Sequence, residues 1–544
     1  MILETSESRN VQPEDAMVDL IVYGATPGGV CAACVAAEEG LTVRLIDSSP
    51  VVGGHWTNGI CTTECEHMLP ITFGGWMMKL LRRFGAWYGI DAPLHRWEPH
   101  VAQRIMEDIL AEHAIAVELN ARILRLRMSE SPRGRVIDAI ELSTGAVYGA
   151  HEYVDCSYEG DVMAAAGVSY RVGREGRDEY GESLAGIRFI DSLEEVRNTK
   201  GHAMLVDEIW EVDLSKPGGE LIEGVEAADP GTLQTGAAHH LTMNYHFRAT
   251  VCSDSNRVPF PRPAGYREER FEILKRYIAS RTDIGFWDIV GALKHPSGHY
   301  MPGEDTIPGY TGVEPGTKWE INNKQASVLS LGHLGGQAGF PEGSWDEREA
   351  IITDHYEHNA GLLYCLEHST EIPRRIRDEA HRWGLAADEY TTNGNWPWRP
   401  YIRETRRMVG QYVMTEYDVL HEREKPDNIL WNSHWIDSHH VRRVALDDNH
   451  FRNEGRIWKE LVEPYAVPYR ALLPRREEVA NLLVPGCLSA THVAFSSVRL
   501  ESTWIGLGEA AACAAAQARS RDLDIAEISV ADLQRRLRQR GITL

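Results

Sequence analysis

The segment Gly24-Ala25-Thr26-Pro27-Gly28-Gly29 is backbone with few side chains, and Asp47 follows 23 residues after Gly24. Those types at that spacing suit one piece of chemistry: a glycine turn that brings a helix N-terminus to a dinucleotide pyrophosphate, with an acid at the end of the next strand for a ribose hydroxyl. Thr26 stands where the second glycine of G-x-G-x-x-G belongs, adding bulk and a hydroxyl. The six residues alone equally make a plain turn in an α/β protein. Strand, turn, helix, strand and acid together favour the nucleotide. Gly53-Gly54, just beyond the acid, would allow close approach of a cofactor, or simply form a loop.

Other residues carry weaker signals. Arg403, Arg406 and Arg407 are expected in a helix, with 403 and 407 on one face by their i,i+4 spacing, where they clamp a carboxylate or hold ion pairs. Cys31 and Cys34 have redox spacing but fall in an apolar helix, so they read as buried thiols. Cys61 and Cys65, on a loop, keep a reactive pair open. His434, Asp437, His439 and His440 have metal-ligand chemistry but no second cluster to complete a site, so no metal is expected. Asn393 to Trp398 reads either as a stacking platform for a ligand or as aromatic core.

These residues need a frame. A strand at 19–23, a small-residue helix at 28–39 and a buried strand at 41–46 make half of a βαβ unit, and alternating segments at 115–127 and 135–148 predict further strands before Asp155. The buried pattern returns at Asn481–Val484, followed by an Ala-rich helix over 502–519. The expected organisation is a flexible arm (1–17), a cofactor lobe in two parts (18–170 and 471–544), and an inserted substrate-facing lobe (171–470) rich in Trp, His, Pro and Arg, with loop-like stretches such as HPSGHYMPGEDTIPGYTG. With 43% apolar and 25% charged residues the chain is a folded protein, and 544 residues exceed one ordinary core. A formal charge of −24 argues against nucleic acid and anionic membrane as partners and leaves a small-molecule substrate. An acidic N-terminus, no long apolar run and nine scattered cysteines point to the cytoplasm and reduced thiols; a homo-oligomer is left open.

With IVYGATPGGV, VVGGHWTNGI, DCSYEGDVMAAAGVSYRVGREG (155–176), NYHFRATVCSDSNRVPFPRPAGY (244–266), YIRETRRMVGQYVMTEYD (401–418) and LLVPGCLSATHVAFSSVRLESTWIGLGEAAACAAAQA (482–518) in order, the chain resembles the FAD-dependent oxidoreductases related to the glutathione-reductase and fumarate-reductase flavoproteins. The resemblance implies an α/β Rossmann-type, glutathione-reductase-like fold with FAD as cofactor. It places Gly24, Thr26, Gly28, Gly29, Asp47, Gly53 and Gly54 around FAD, Asp155, Gly160 and Asp161 near it, and Gly486 over the ribityl chain. Arg499 would meet the flavin pyrimidine or a substrate anion, or pair with Glu501. His55-Trp56 departs from the smaller residues expected there, which points to an unusual substrate. Flavin chemistry asks for a base beside the ring. His492 is the first candidate because the resemblance passes its segment by the flavin; a histidine held by backbone bonds is the competing reading. His55, Glu64 and Arg403 follow. The expected reaction is hydride removal from a CH–OH or CH–NH carbon of a small polar substrate, with FAD reoxidised by oxygen or another acceptor. A flavin monooxygenase and a non-catalytic flavin-binding protein are the alternatives. Attachment of the flavin, covalent through a His or Cys near 55–65 or non-covalent, is left open.

Overall fold

The computed structural model describes residues 17–544 apart from 66, 133, 193–206, 217, 228–232, 254, 280, 292–317 and 325–326. The arm at 1–16 and the stretch 295–312, read above as loop, lie outside the described residues.

Strands β1 (Val18–Tyr23), β2 (Val43–Ile46), β3 (Ala116–Glu118), β4 (Ile123–Ser131), β5 (Gly134–Leu142) and β6 (Val147–Asp155) form a sheet in the order β3-β2-β1-β6-β5-β4. The pairs β3–β2, β2–β1 and β1–β6 are parallel, and β4–β5–β6 is an antiparallel meander. Leu20, Ile21 and Val22 are fully buried in β1, as a strand covered on both faces requires; each contributes roughly 1.5–3 kcal/mol. Helix α1 (Pro27–Glu38) crosses from β1 to β2, burying its first ten residues and carrying no charge until Glu38. A helix apolar all round is one packed on every side. Helix α2 (Pro99–Glu112) lies against its end. This is a Rossmann-type α/β frame.

The middle of the chain builds a second apolar core around Trp210, Phe247, Phe271, Leu363 and Trp396. Its pieces include the antiparallel pair β8 (Thr250–Cys252) and β9 (Lys318–Glu320) and helix α3 (Trp345–His368), whereas β7 (Tyr170–Val172) and β10 (Arg406–Met408) pair with each other and pack Tyr170 and Met408 on the core of the sheet. Segment 401–470, read above with the substrate lobe, supplies Tyr401, Met414, Ile429 and Tyr465 to the core around α1.

The C-terminal part returns to the sheet. β11 (Leu482–Leu483) pairs in parallel with β6, and α4 (His492–Val498) and α5 (Glu501–Arg521) follow. α5 packs on α1 at backbone contact: a Cβ on Gly28 would stand 2.8 Å from the Trp504 carbonyl oxygen, and one on Gly508 would overlap the Gly28 carbonyl. Glycine and alanine on both helices make that approach feasible.

Candidate active site

At the dinucleotide turn Gly24 has φ +99°, and a Cβ there would stand 2.5 Å from Ser157 N. Thr26 is the N-cap of α1: its hydroxyl accepts from Gly29 N (3.1 Å) and donates to Cys156 O (3.0 Å). The residue that breaks the glycine pattern thus ties the turn to the end of β6. Asp47 accepts from Ala25 N (2.5 Å) and Ser49 N (2.7 Å), locking the turn from the end of β2. Gly54 (φ +51°) lies against the turn, where a Cβ would be 3.1 Å from both Thr26 Cα and Pro27 Cδ, and the Tyr158 hydroxyl fills the space a side chain would need; Thr57 and Met106 do the same at Gly53. A Cβ on Gly486 would strike the Ser157 carbonyl, so the loop after β11 touches the same junction. Buried Asp155 accepts from Ser157 N and Oγ and from Met163 N, and burial raises its carboxyl to about 6. Asp161 goes to two cations, Arg348 (2.9 Å) and Arg406 (3.0 Å).

Beside this turn, His55 stacks on Tyr158 (3.7 Å between centroids, 8°) and meets Tyr401 edge-on at 4.8 Å. Its Nε2 accepts from Ile402 N (3.2 Å), and its Nδ1 lies 3.0 Å from Glu501 Oε1 at the start of α5. Burial, with Arg399, Arg248, Arg403 and Arg499 nearby, holds the imidazole far below its usual range, so it is neutral. Tyr158 donates to Glu501, whose carboxyl burial raises to about 8. Arg399, from the inserted region, lies over Tyr158 and pairs with Glu159 at 2.8 Å.

Around Tyr401 three guanidinium groups gather. Arg248 lies 5.4 Å from the ring centroid and is held by Glu64 (2.7 Å) and Glu320. Arg499 donates to the Tyr401 hydroxyl (2.9 Å) and the Asp437 carbonyl (2.8 Å), with the Asp437 carboxylate at 3.5 Å. Arg403 lies 4.4 Å from the centroid and donates to Asn244 O (2.7 Å), His246 Nδ1 (2.9 Å) and Asn323 Oδ1 (3.2 Å). Burial first, then Arg499 and Arg248, lower its guanidinium to about 9.

His492 begins α4. Its Nδ1 lies 2.9 Å from both oxygens of Glu404, while its Nε2 is buried with no protein partner. Although burial pushes Glu404 up, His492 and Arg407 hold it below the ordinary carboxylate range.

The structure therefore brings His55, Arg403 and Arg499 onto one tyrosine, with Glu64 reaching them through Arg248, and sets His492 on a separate carboxylate. Residues 401–407 are not the helix expected: an isolated bridge pairs Tyr401 with His246, and β10 starts at Arg406. Neighbours on this extended chain diverge, Arg403 toward His246 and Glu404 toward His492. The predicted shared face of Arg403 and Arg407 does not exist; Arg407 pairs with Glu175 (2.6 Å) and Glu404 (2.8 Å). Arg499 takes Asp437 and Tyr401 as partners in place of Glu501. The nine cysteines are all buried. His440 bonds Asp207, Asp437 meets Arg499, His439 lies by Asn323 and His434 by His67, so these four side chains take separate partners. Among the described residues Glu98, His100 and Glu389 have ligand-like closeness, but both glutamates already pair with Lys318 Nζ, at 2.8 and 2.6 Å. Trp396 packs on Phe247 and Tyr356. Tyr158, Tyr401 and Glu404 were not singled out from sequence, and Glu501 only as a possible partner of Arg499; the Ser-Tyr-Glu-Gly run after Asp155 was the available signal for the first.

The junction fits a dinucleotide. The N-terminus of α1 begins at the turn, capped by Thr26, and the surrounding side chains carry buried polar atoms without protein partners among the described residues: Arg399 Nε, Glu501 Oε2 and Trp504 Nε1. A family model described as FAD dependent oxidoreductase matches residues 19–537. No curated protein matches the chain. Among solved structures it is similar to THI4 of Thermovibrio ammonificans, at 13% identity and a TM-score of 0.23 over 29% of this chain and 66% of that one. It is also similar to the OxyS anhydrotetracycline hydroxylase of Streptomyces rimosus (13%, TM-score 0.22, 33% and 41%) and to a cyclohexanone monooxygenase mutant of Rhodococcus sp. Phi1 bound to NADP+ (18%, TM-score 0.19, 26% and 26%). The chain thus spans less than two thirds of these proteins.

Proposed function

The chain belongs to the FAD-dependent oxidoreductase family, and from that membership we propose that it oxidises a CH–OH or CH–NH carbon of a small polar substrate, with His492 as general base. FAD, its cofactor, supplies the acceptor for the hydride and is reoxidised by oxygen or another acceptor.

The observation that carries this reading is the His492–Glu404 pair. Nδ1 donates to a carboxylate, which fixes the tautomer and leaves the Nε2 lone pair free to take the proton of a substrate O–H or N–H as the C–H electron pair departs. His55 is less suited, because both ring nitrogens already face protein groups and the ring is stacked on Tyr158. Gly24, Thr26, Gly28, Gly29 and Asp47 would hold the pyrophosphate and ribose, with Gly53, Gly54 and Gly486 closing the junction.

The test is anaerobic flavin bleaching in wild type and His492→Asn across a panel of alcohols and amines. The expected outcome is unchanged FAD content with bleaching slowed by roughly 10²–10⁴-fold. Equal bleaching rates in both proteins would remove His492 from the reaction.

A further inference from the structure

We propose that Arg403 is the anchor of a carboxylate-binding subsite, so that the substrate is an organic acid; this rests on the hydride-transfer reading above and names its substrate class.

Arg403 is 1% exposed. A guanidinium so placed normally meets a carboxylate, because an uncompensated buried charge is costly. The other buried arginines of the site follow that rule: Arg248 has Glu64 and Glu320, Arg407 has Glu175 and Glu404, and Arg499 has Asp437 at 3.5 Å. Among the described residues Arg403 touches only neutral acceptors, the amides of Asn244 and Asn323 and the imidazole of His246, together with the Tyr401 ring face, and its Nε has no partner there. His246 accepts from Arg403 and burial keeps it neutral, so it adds no charge of either sign. Glu64 and Asp437 lie within electrostatic range but are engaged by Arg248 and Arg499. The missing partner is an anion small enough to sit beside Tyr401.

The place is also suitable. Asn323 is only half-buried, which gives a polar approach from solvent, and Tyr401 also touches His55, whose loop adjoins the dinucleotide turn. The Arg403 Nε–H, buried and without a partner among the described residues, is the donor that remains for one charge-assisted hydrogen bond to a carboxylate oxygen.

The experiment is calorimetric titration of the FAD-loaded protein with acetate, benzoate and succinate, each against its amide. At least one carboxylate should bind saturably and its amide roughly 10-fold or more weakly, the difference a charge-assisted hydrogen bond makes. Arg403→Gln should abolish the preference with FAD content retained, and Arg403→Lys should keep part of it. Equal binding of acid and amide, no binding of any acid, or a preference surviving in Arg403→Gln overturns the proposal. Should Arg403→Gln fail to fold, the acid–amide comparison in wild type and in Arg403→Lys decides. Bleaching by a neutral alcohol without carboxylate binding overturns this inference and leaves hydride removal standing; carboxylate binding with no acid that bleaches the flavin leaves the subsite standing and removes the reaction.

Discussion

Glu501 is a carboxyl kept with its proton. Its ordinary value is 4.5 and burial raises it to about 8, so between those limits the folded chain binds one proton more than the unfolded chain. Stability from this group is complete below about pH 4.5 and is lost as pH rises toward 8. Glu501→Gln, an isostere without the ionisation, should match wild type in thermal midpoint near pH 5 and exceed it progressively toward pH 8 and above; parallel curves would show that Glu501 ionises freely. His492 makes a contrasting prediction on rate alone, and Glu404→Gln should slow flavin bleaching with a smaller effect than His492→Asn, since it leaves the imidazole but not its orientation. At this scale the sequence was informative about chemistry and silent about partnership. His55, Glu64, Arg403 and Arg499 were legible as polar residues in ordered blocks. That they converge on Tyr401 was not, because His55 and Glu64 stand 346 and 337 positions before it and Arg499 stands 98 after it, and a tyrosine without a charge gives no local signal.

Among the elements, the crossing of α1 and α5 positions the cofactor turn. Gly508 faces the Gly28 carbonyl at backbone contact, and backbone cannot rotate away as a side chain can. Gly508→Ala should therefore cost about 1–3 kcal/mol and lower FAD retention, read by denaturant titration and by the flavin absorbance surviving gel filtration; unchanged retention would show that the helices have room to part. β1, α1, β2 and α5 were readable because burial there is continuous and residue size is patterned: β-branched and long aliphatic side chains in the strands, glycine and alanine in the helices. Segment 401–407 misled for the opposite reason. Arginines at i and i+4 fit a helix surface, but β-bridge pairing with His246 and β7 decides its conformation, and such long-range pairing leaves no periodicity in seven residues.

The whole molecule is held together by ions where its apolar cores end. Lys318 in β9 joins Glu98 at the start of α2 to Asp388 and Glu389 from the inserted region, with the ammonium 2% exposed. Lys318→Met should destabilise by about 3–5 kcal/mol, because two buried carboxylates lose their cation; a midpoint unchanged at neutral pH would mean that they take up protons instead. The return of a strand to the sheet was legible from the buried pattern after 480. The packing of 401–470 on the core around α1 was not, because its Trp, Tyr and Arg content resembles that of the residues before it. Chain order gives this architecture a consequence in time. α1 leaves the ribosome about 470 residues ahead of Gly508, the residue that seals its face, an interval of roughly 25–90 s at 5–20 residues per second. Throughout synthesis the turn is an open half-site, and the nascent chain offers chaperones an apolar helix without its partner. Flavin loading is then an event of the finished polypeptide, and chains stalled at residue 480 should carry no yellow cofactor while released chains do.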